Sequence, residues 1–119
     1  MSTIPKQLLI RRTGTTRTGR SFDERTINAV WNKATAVLGA SPAALRKDIC
    51  GAWMECSRYG ETVSEGKGWE IDHIIPVSRG GTDDLSNLQA LQWQNNRRKG
   101  DSFPIMPAAF AAVVARNNN

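Results

Sequence analysis

Residues 69–81 read WEIDHIIPVSRGG and residues 85–101 read LSNLQALQWQNNRRKGD. From Trp69 to Ile74 apolar and polar side chains alternate, the pattern of a half-buried strand whose successive residues point to opposite faces. Pro76 cannot donate to a ladder, so pairing stops there, and Arg79-Gly80-Gly81-Thr82 reads as a turn or loop. Leu88 to Leu91 reads as a second short strand. Trp93 to Lys99 reads as a helix ended by Gly100. The order over residues 69–101 is therefore strand, loop, strand, helix. Asp72 and His73 would face apart on an ideal strand. For both to serve one site the strand must end or bend at this point, and Ile74-Ile75-Pro76 supplies such an exit.

Outward from this stretch the elements are simpler. Ser21 and Glu24 have the spacing of a capping box with Ser21 as N-cap, which predicts a helix over 22–38. Its face carries Ile27, Val30, Trp31, Ala34 and Val37/Leu38, and Gly39 is its C-cap. Ser41-Pro42 starts a short helical turn. Ile49 to Met54 reads as a strand with Trp53 buried, and residues 57–68 as a turn-rich loop. Residues 107–116, PAAFAAVVAR, read as a terminal helix that packs Phe110, Val113 and Val114 onto the core. The fold class is α+β, with one domain over 21–119.

The chain has 119 residues, 39% of them apolar and 23% charged. That is ordinary globular usage and excludes wholesale disorder. Four tryptophans anchor a small core. The net charge is +5, and residues 1–20 hold Lys6, Arg11, Arg12, Arg17 and Arg20 with no acid. This stretch reads as a flexible basic arm, either a solvated tail or a segment that tracks phosphates. A second basic cluster is Arg97, Arg98 and Lys99. Two cysteines make no disulfide framework, so reduced thiols in a cytoplasmic protein are expected. No apolar run approaches the roughly 20 residues that span a bilayer. The N-terminus offers no apolar signal segment, so neither secretion nor a membrane partner is expected.

Residue types, spacings and element order across WEIDHIIPVSRGG and LSNLQALQWQNNRRKGD together resemble the HNH endonuclease family. Its site is a ββα-metal (His-Me finger) unit. The flanking SFDERTINAVWNKA and RKDICGAW are similar to compact bacterial and phage-associated members. The resemblance implies a ββα-metal core over about 69–101 with flanking N- and C-terminal helices. It implies metal-dependent hydrolysis of DNA phosphodiester bonds that leaves a 5′-phosphate and a 3′-hydroxyl. In that reading Asp72 and Asn96 hold one divalent cation, with Asn95 in place of Asn96 if the register slips. His73, the one histidine of the chain, activates the attacking water. Imidazole titrates in the neutral range, and general-base catalysis is worth about 10²–10⁴ in rate. Asn87 pins the loop between the strands and so aims His73. Carboxylate and amide oxygens suit Mg²⁺ first and Mn²⁺ second. The implied partner is double-stranded DNA. Arg79, Arg97, Arg98, Lys99, Arg11, Arg12, Arg17 and Arg20 are the candidate phosphate contacts. A homodimer or a larger protein partner would bring two sites to opposite strands.

The sequence also departs from the family pattern. The third motif position, often His, is Asn96. Many relatives bind a structural zinc through two CxxC pairs. Here Gln92 and Asn95 occupy the second pair's places, and five residues rather than two separate Cys50 from Cys56. Structural zinc is therefore not expected, and packing by Trp53, Trp69 and Trp93 is expected in its stead. Plainer readings exist for each residue. His73 could be a satisfied core histidine and Asn87 a turn residue. Arg97, Arg98 and Lys99 could be a solvated helix end that complements the dipole. Glu70 could be a surface charge or a support for Asp72. Two rival functions remain. A non-catalytic DNA-binding module on the same scaffold is opposed by the intact Asp72, His73 and Asn96. A zinc-binding interaction domain is opposed by its inadequate ligand set.

Overall fold

The computed structural model describes residues 11–64 and 66–102. The expected terminal helix over 107–116 lies outside them. The described elements are α1 (Glu24–Trp31), β1 (Leu45–Lys47), β2 (Trp53–Glu55), β3 (Trp69–His73), β4 (Leu88–Gln92) and α2 (Trp93–Lys99). Strands β1 and β2 form one antiparallel hairpin, and β3 and β4 form another. The result is a small mixed fold of two hairpins and two helices.

The β3–β4 hairpin carries the site. Trp69 pairs with Gln92, Ile71 with Ala90, Asp72 with Gln89 and His73 with Leu88. Helix α2 starts at the residue after β4 ends. The alternation of β3 predicted one wet face, but all five of its residues are buried. Its apolar face joins Trp69 and Ile71 to Phe22, Val30, Trp31, Met54, Leu88 and Ala90. Trp69 packs its ring 5.1 Å from Trp31 and 4.9 Å from Tyr59. The polar face, Glu70 and Asp72, is covered instead of solvated, because α2 supplies partners to both side chains.

Helix α1 is shorter than its apolar spacing predicted. Its N-cap is Asp23, whose carboxylate accepts from the Thr26 amide at 2.8 Å, in place of Ser21. That bond favours the ionised carboxyl and holds it below its ordinary range. The 3.6-residue pattern holds for Ile27, Val30, Trp31 and Ala34, which all meet the core. Beyond it, the backbone of Thr35 exchanges two 2.9 Å hydrogen bonds with Lys47. This pairing draws the chain into an extended path, and Leu38 ends fully exposed.

The stretch Ile49 to Met54 is a turn leading into β2 rather than one strand. Asp48 organises it. One carboxylate oxygen accepts from the amides of Cys50 and Ala52, each at 2.9 Å. The other accepts from the Gln92 amide at 3.0 Å and from Asn95 Nδ2 at 2.9 Å. Ile49 is thereby turned outward, 72% exposed. The Gln92 side chain in turn caps α2, accepting from the amides of Gln94 and Asn95. A buried carboxylate with four donors thus ties the first hairpin to α2. Of the three tryptophans expected to pack in place of a structural zinc, Trp69 alone is in the core. Trp53 is half-buried with Lys47 Nζ 4.8 Å above its ring, and half-buried Trp93 donates to the Val63 carbonyl.

Residues 11–20 make hydrogen-bonded turns. The Thr16 amide donates to the Arg20 carbonyl and Gly19 to Thr16, both at 2.8 Å. The Arg17 amide donates to the Asp83 carboxylate at 3.0 Å. These contacts hold the segment against the second hairpin.

Removing the Asp48 carboxylate strands several buried donors. Asp48→Ala should lower unfolding free energy by about 2–4 kcal/mol in urea titration; an unchanged midpoint would contradict the role given to it. Burial, reinforced by the neighbouring Asp48 charge, pushes the Cys50 thiol up to about 12. Iodoacetamide at pH 8 should therefore modify Cys50 far more slowly in the folded chain than in urea. Equal rates would show that the thiol is not shielded.

Candidate active site

Strand β3 ends at His73, and the chain bends through Ile74 and Ile75. At this end lies an open cleft of about 160 Å³. Asp72, His73 and Asn96 all line it, together with Pro76, Arg97, Gly100 and Asp101. Arg11, Thr13 and Gly14 close its rim from the N-terminal segment. Asn95 points elsewhere, into the Asp48 cluster. Of the two adjacent asparagines, Asn96 is therefore the one at the cleft.

The acid is held from both sides. Gln89, its cross-strand partner, donates to Asp72 Oδ2 at 2.9 Å. Lys99 Nζ donates to Asp72 Oδ1 at 3.2 Å and to the His73 carbonyl at 3.0 Å. Burial raises the Asp72 pKa, and the Gln89 and Lys99 contacts only partly offset it. Lys99 itself is 3% exposed. Its ammonium is turned inward, so it does not present a surface contact for phosphate as expected.

Asn96 is oriented by Glu70. Its Nδ2 donates to Glu70 Oε1 at 3.1 Å, which leaves the carboxamide oxygen as the group available to a ligand. Glu70 also accepts from Arg97, at 3.0 Å and 3.3 Å. This bond raises the Arg97 pKa further. Glu70 is 5% exposed, so it is a buried support and not a surface charge.

His73 is buried, with Nε2 2.7 Å from Asp83 Oδ1 and the Phe22 ring 6.0 Å away. Asn87 does not line the cleft. Its oxygen accepts from the Ile75 amide at 2.8 Å, and its nitrogen donates to the carbonyls of Ile75 and Thr82 at 3.1 Å and 2.8 Å. These bonds close the loop between β3 and β4. Gly81 lies inside that loop, where any Cβ would overlap the Ile75 carbonyl oxygen. Of the remaining predicted cations, Arg11 lines the cleft while its guanidinium donates to the Thr15 carbonyl at 2.8 Å. Arg12, Arg17, Arg20, Arg79 and Arg98 are exposed.

Gln89 and Asp83 were not singled out by the sequence. Register would have found Gln89 once Asp72 was placed on the strand, because the two stand opposite each other. Nothing periodic marks Asp83, which reaches His73 only because the loop folds back.

Among the described residues no three His, Cys, Asp or Glu side chains converge. The cleft is lined by the carboxylates of Asp72 and Asp101 and the carboxamide of Asn96. Asp72 accepts two protein donors, and an ionised carboxylate has about four lone-pair sites, so acceptor capacity remains. Such a set fits a hydrated, oxygen-preferring ion with few protein ligands, the habit of Mg²⁺, and does not fit an all-protein cage.

In comparison with known proteins, the family model described as HNH endonuclease matches residues 50–102. That span runs from the turn before β2 to the end of α2 and includes Asp72, His73, Asn87 and Asn96. No curated protein and no solved structure matches the chain.

Lys99→Met leaves the Asp72 charge buried without its cation. Breaking a buried pair in this way costs about 3–5 kcal/mol, measurable by urea unfolding at pH 7. Since the folded-state pKa of Asp72 is raised, protonation relieves the unpaired charge, and the loss should shrink as pH falls through that pKa. A loss that grew on acidification would contradict the pairing.

Proposed function

Residues 50–102 belong to the HNH endonuclease family, and from that membership we propose a metal-dependent endonuclease that hydrolyses phosphodiester bonds in double-stranded DNA. The observation that carries this reading is the meeting of Asp72, His73 and Asn96 at one cleft. Strand β3, strand β4 and helix α2 then form a ββα-metal unit. Asp72 and Asn96 would hold one Mg²⁺ or Mn²⁺, which supplies charge stabilisation at the phosphoryl group and the leaving 3′ oxygen.

The rest of the chemistry falls to the protein's own groups. His73 accepts the proton of the attacking water at the ring nitrogen not bonded to Asp83. Asn87 keeps the loop closed so that the imidazole stays in place. Glu70 keeps Asn96 and Arg97 from turning away. Gln89 and Lys99 hold the Asp72 carboxylate in register. Arg11 and Arg97 sit where the flanking phosphates of a strand would lie. Arg12, Arg17, Arg20, Arg79 and Arg98 add a sequence-independent attraction that weakens steeply with salt. The products are a 5′-phosphate and a 3′-hydroxyl. Pairing of two copies, or binding to a larger protein, would allow cuts in both strands. No helix among the described residues is long and apolar enough to cross a membrane, and the cytoplasm is the proposed site of action.

Relaxation of supercoiled plasmid tests this directly. Cleavage should require Mg²⁺ or Mn²⁺ and stop in EDTA. His73→Ala should slow it by about 10²–10⁴ while duplex binding stays within about twofold. A His73→Ala chain that cuts at the wild-type rate, or a wild type that binds DNA and never cuts it, overturns the proposal.

A further inference from the structure

The His73 ring has a partner that neither the family match nor the motif assigns. Asp83 Oδ1 lies 2.7 Å from Nε2. An ionised carboxylate only accepts hydrogen bonds, so Nε2 carries the hydrogen and the lone pair of the neutral ring sits on Nδ1. The carboxylate is itself fixed. The Arg17 amide donates to both of its oxygens, at 3.0 Å and 3.3 Å. The residue before it, Thr82, is tied through its carbonyl to Asn87 Nδ2. The Phe22 ring centroid lies 6.0 Å from that of the imidazole, at a 40° tilt.

We propose that Asp83 is the positioning residue of the general base: it locks His73 in the Nε2–H tautomer, aims Nδ1 at the cleft, and is itself held by the main chain of the 11–20 segment. Two parts of the chain separated in sequence, the 82–87 loop and the 11–20 segment, thereby set one nitrogen at the end of β3. The loop residue Asn87 places Thr82 and Asp83, the Arg17 amide orients the carboxylate, and the carboxylate orients the ring. Asp83 is not itself among the residues lining the cleft and meets it only through His73, so it acts through the imidazole alone. This inference rests on the reading of His73 as base, and its test separates the two.

The chain contains a single histidine, so ¹⁵N-histidine labelling gives one imidazole and no ambiguity of assignment. At pH 8 the wild type should show a hydrogen-bonded, slowly exchanging ring N–H at Nε2 and a bare Nδ1. Asp83→Ala should lose the slow exchange. Asp83→Asn keeps the shape and one acceptor oxygen, and should retain a weaker version of the signal. In single-turnover cleavage with saturating Mg²⁺, Asp83→Ala should lower the rate by about 10²-fold, the scale of a misplaced catalytic group. Asp83→Asn should fall between it and wild type. KM and duplex affinity should change by less than about threefold in both. A wild-type ring protonated at Nδ1, or an Asp83→Ala chain that cuts at full rate, overturns the proposal. The ring N–H is read without any turnover. An inactive wild type that still shows it would therefore remove the nuclease reading and leave the tautomer assignment standing.

Discussion

Neighbouring side chains on a strand point to opposite faces, and this constraint shapes everything around β3. Asp72 and His73 are adjacent, so they cannot be supported by the same wall. Asp72 leans on Gln89 across the hairpin and on Lys99 from α2. His73 leans on Asp83 from the loop and on Phe22 from the segment before α1. Only because the strand stops at His73 do the two groups come back together at one cleft. Both faces of β3 must therefore be built, which explains why a five-residue strand is buried on both sides in so small a protein.

Helix α2 serves the two faces of its own environment in the same way. Successive residues of a helix are rotated by about 100°, so Asn95 and Asn96 cannot point to one place. Asn95 meets the Asp48 carboxylate, which joins the first hairpin to the helix. Asn96 meets Glu70 and the cleft. Lys99, one turn from Asn95 and Asn96, returns a cation to Asp72. A domain of this size has a limited apolar core. Here the core is extended by the buried Lys99–Asp72 ion pair and by carboxylate-centred hydrogen bonds that also hold the site. Breaking one partner in such a set leaves the other charged and buried, so stability and geometry are coupled at these positions.

Much of this was legible in the sequence. The order strand, loop, strand, helix over 69–101 was read from Pro76, Gly100 and the alternation of Trp69–Ile74, and β3, β4 and α2 follow it closely. The motif singled out Asp72, His73 and Asn96, and they share a cleft. What failed has physical causes. Apolar spacing continued the first helix through Leu38, but pairing of Thr35 with Lys47 outweighed local periodicity. Ile49 to Met54 looked like a strand because nothing local shows that Asp48 will gather the amides of Cys50 and Ala52 together with donors from two distant elements. Lys99 and Glu70 looked like surface charges because long charged residues usually are; each is buried only because its opposite partner arrives from another element. Asp83 was invisible because its contact with His73 depends on closure of a loop whose pins are the Asn87 amide and a glycine pressed against the Ile75 carbonyl.

The convergence of acid, imidazole and carboxamide on one hydrated ion is open to direct measurement by paramagnetic relaxation. Adding substoichiometric Mn²⁺ to ¹⁵N-labelled protein should broaden first the resonances of Asp72, the His73 ring and the Asn96 side-chain amide, and an excess of Mg²⁺ should restore them. Broadening spread over the exposed acids, with those three unaffected, would contradict a metal centre at the end of β3.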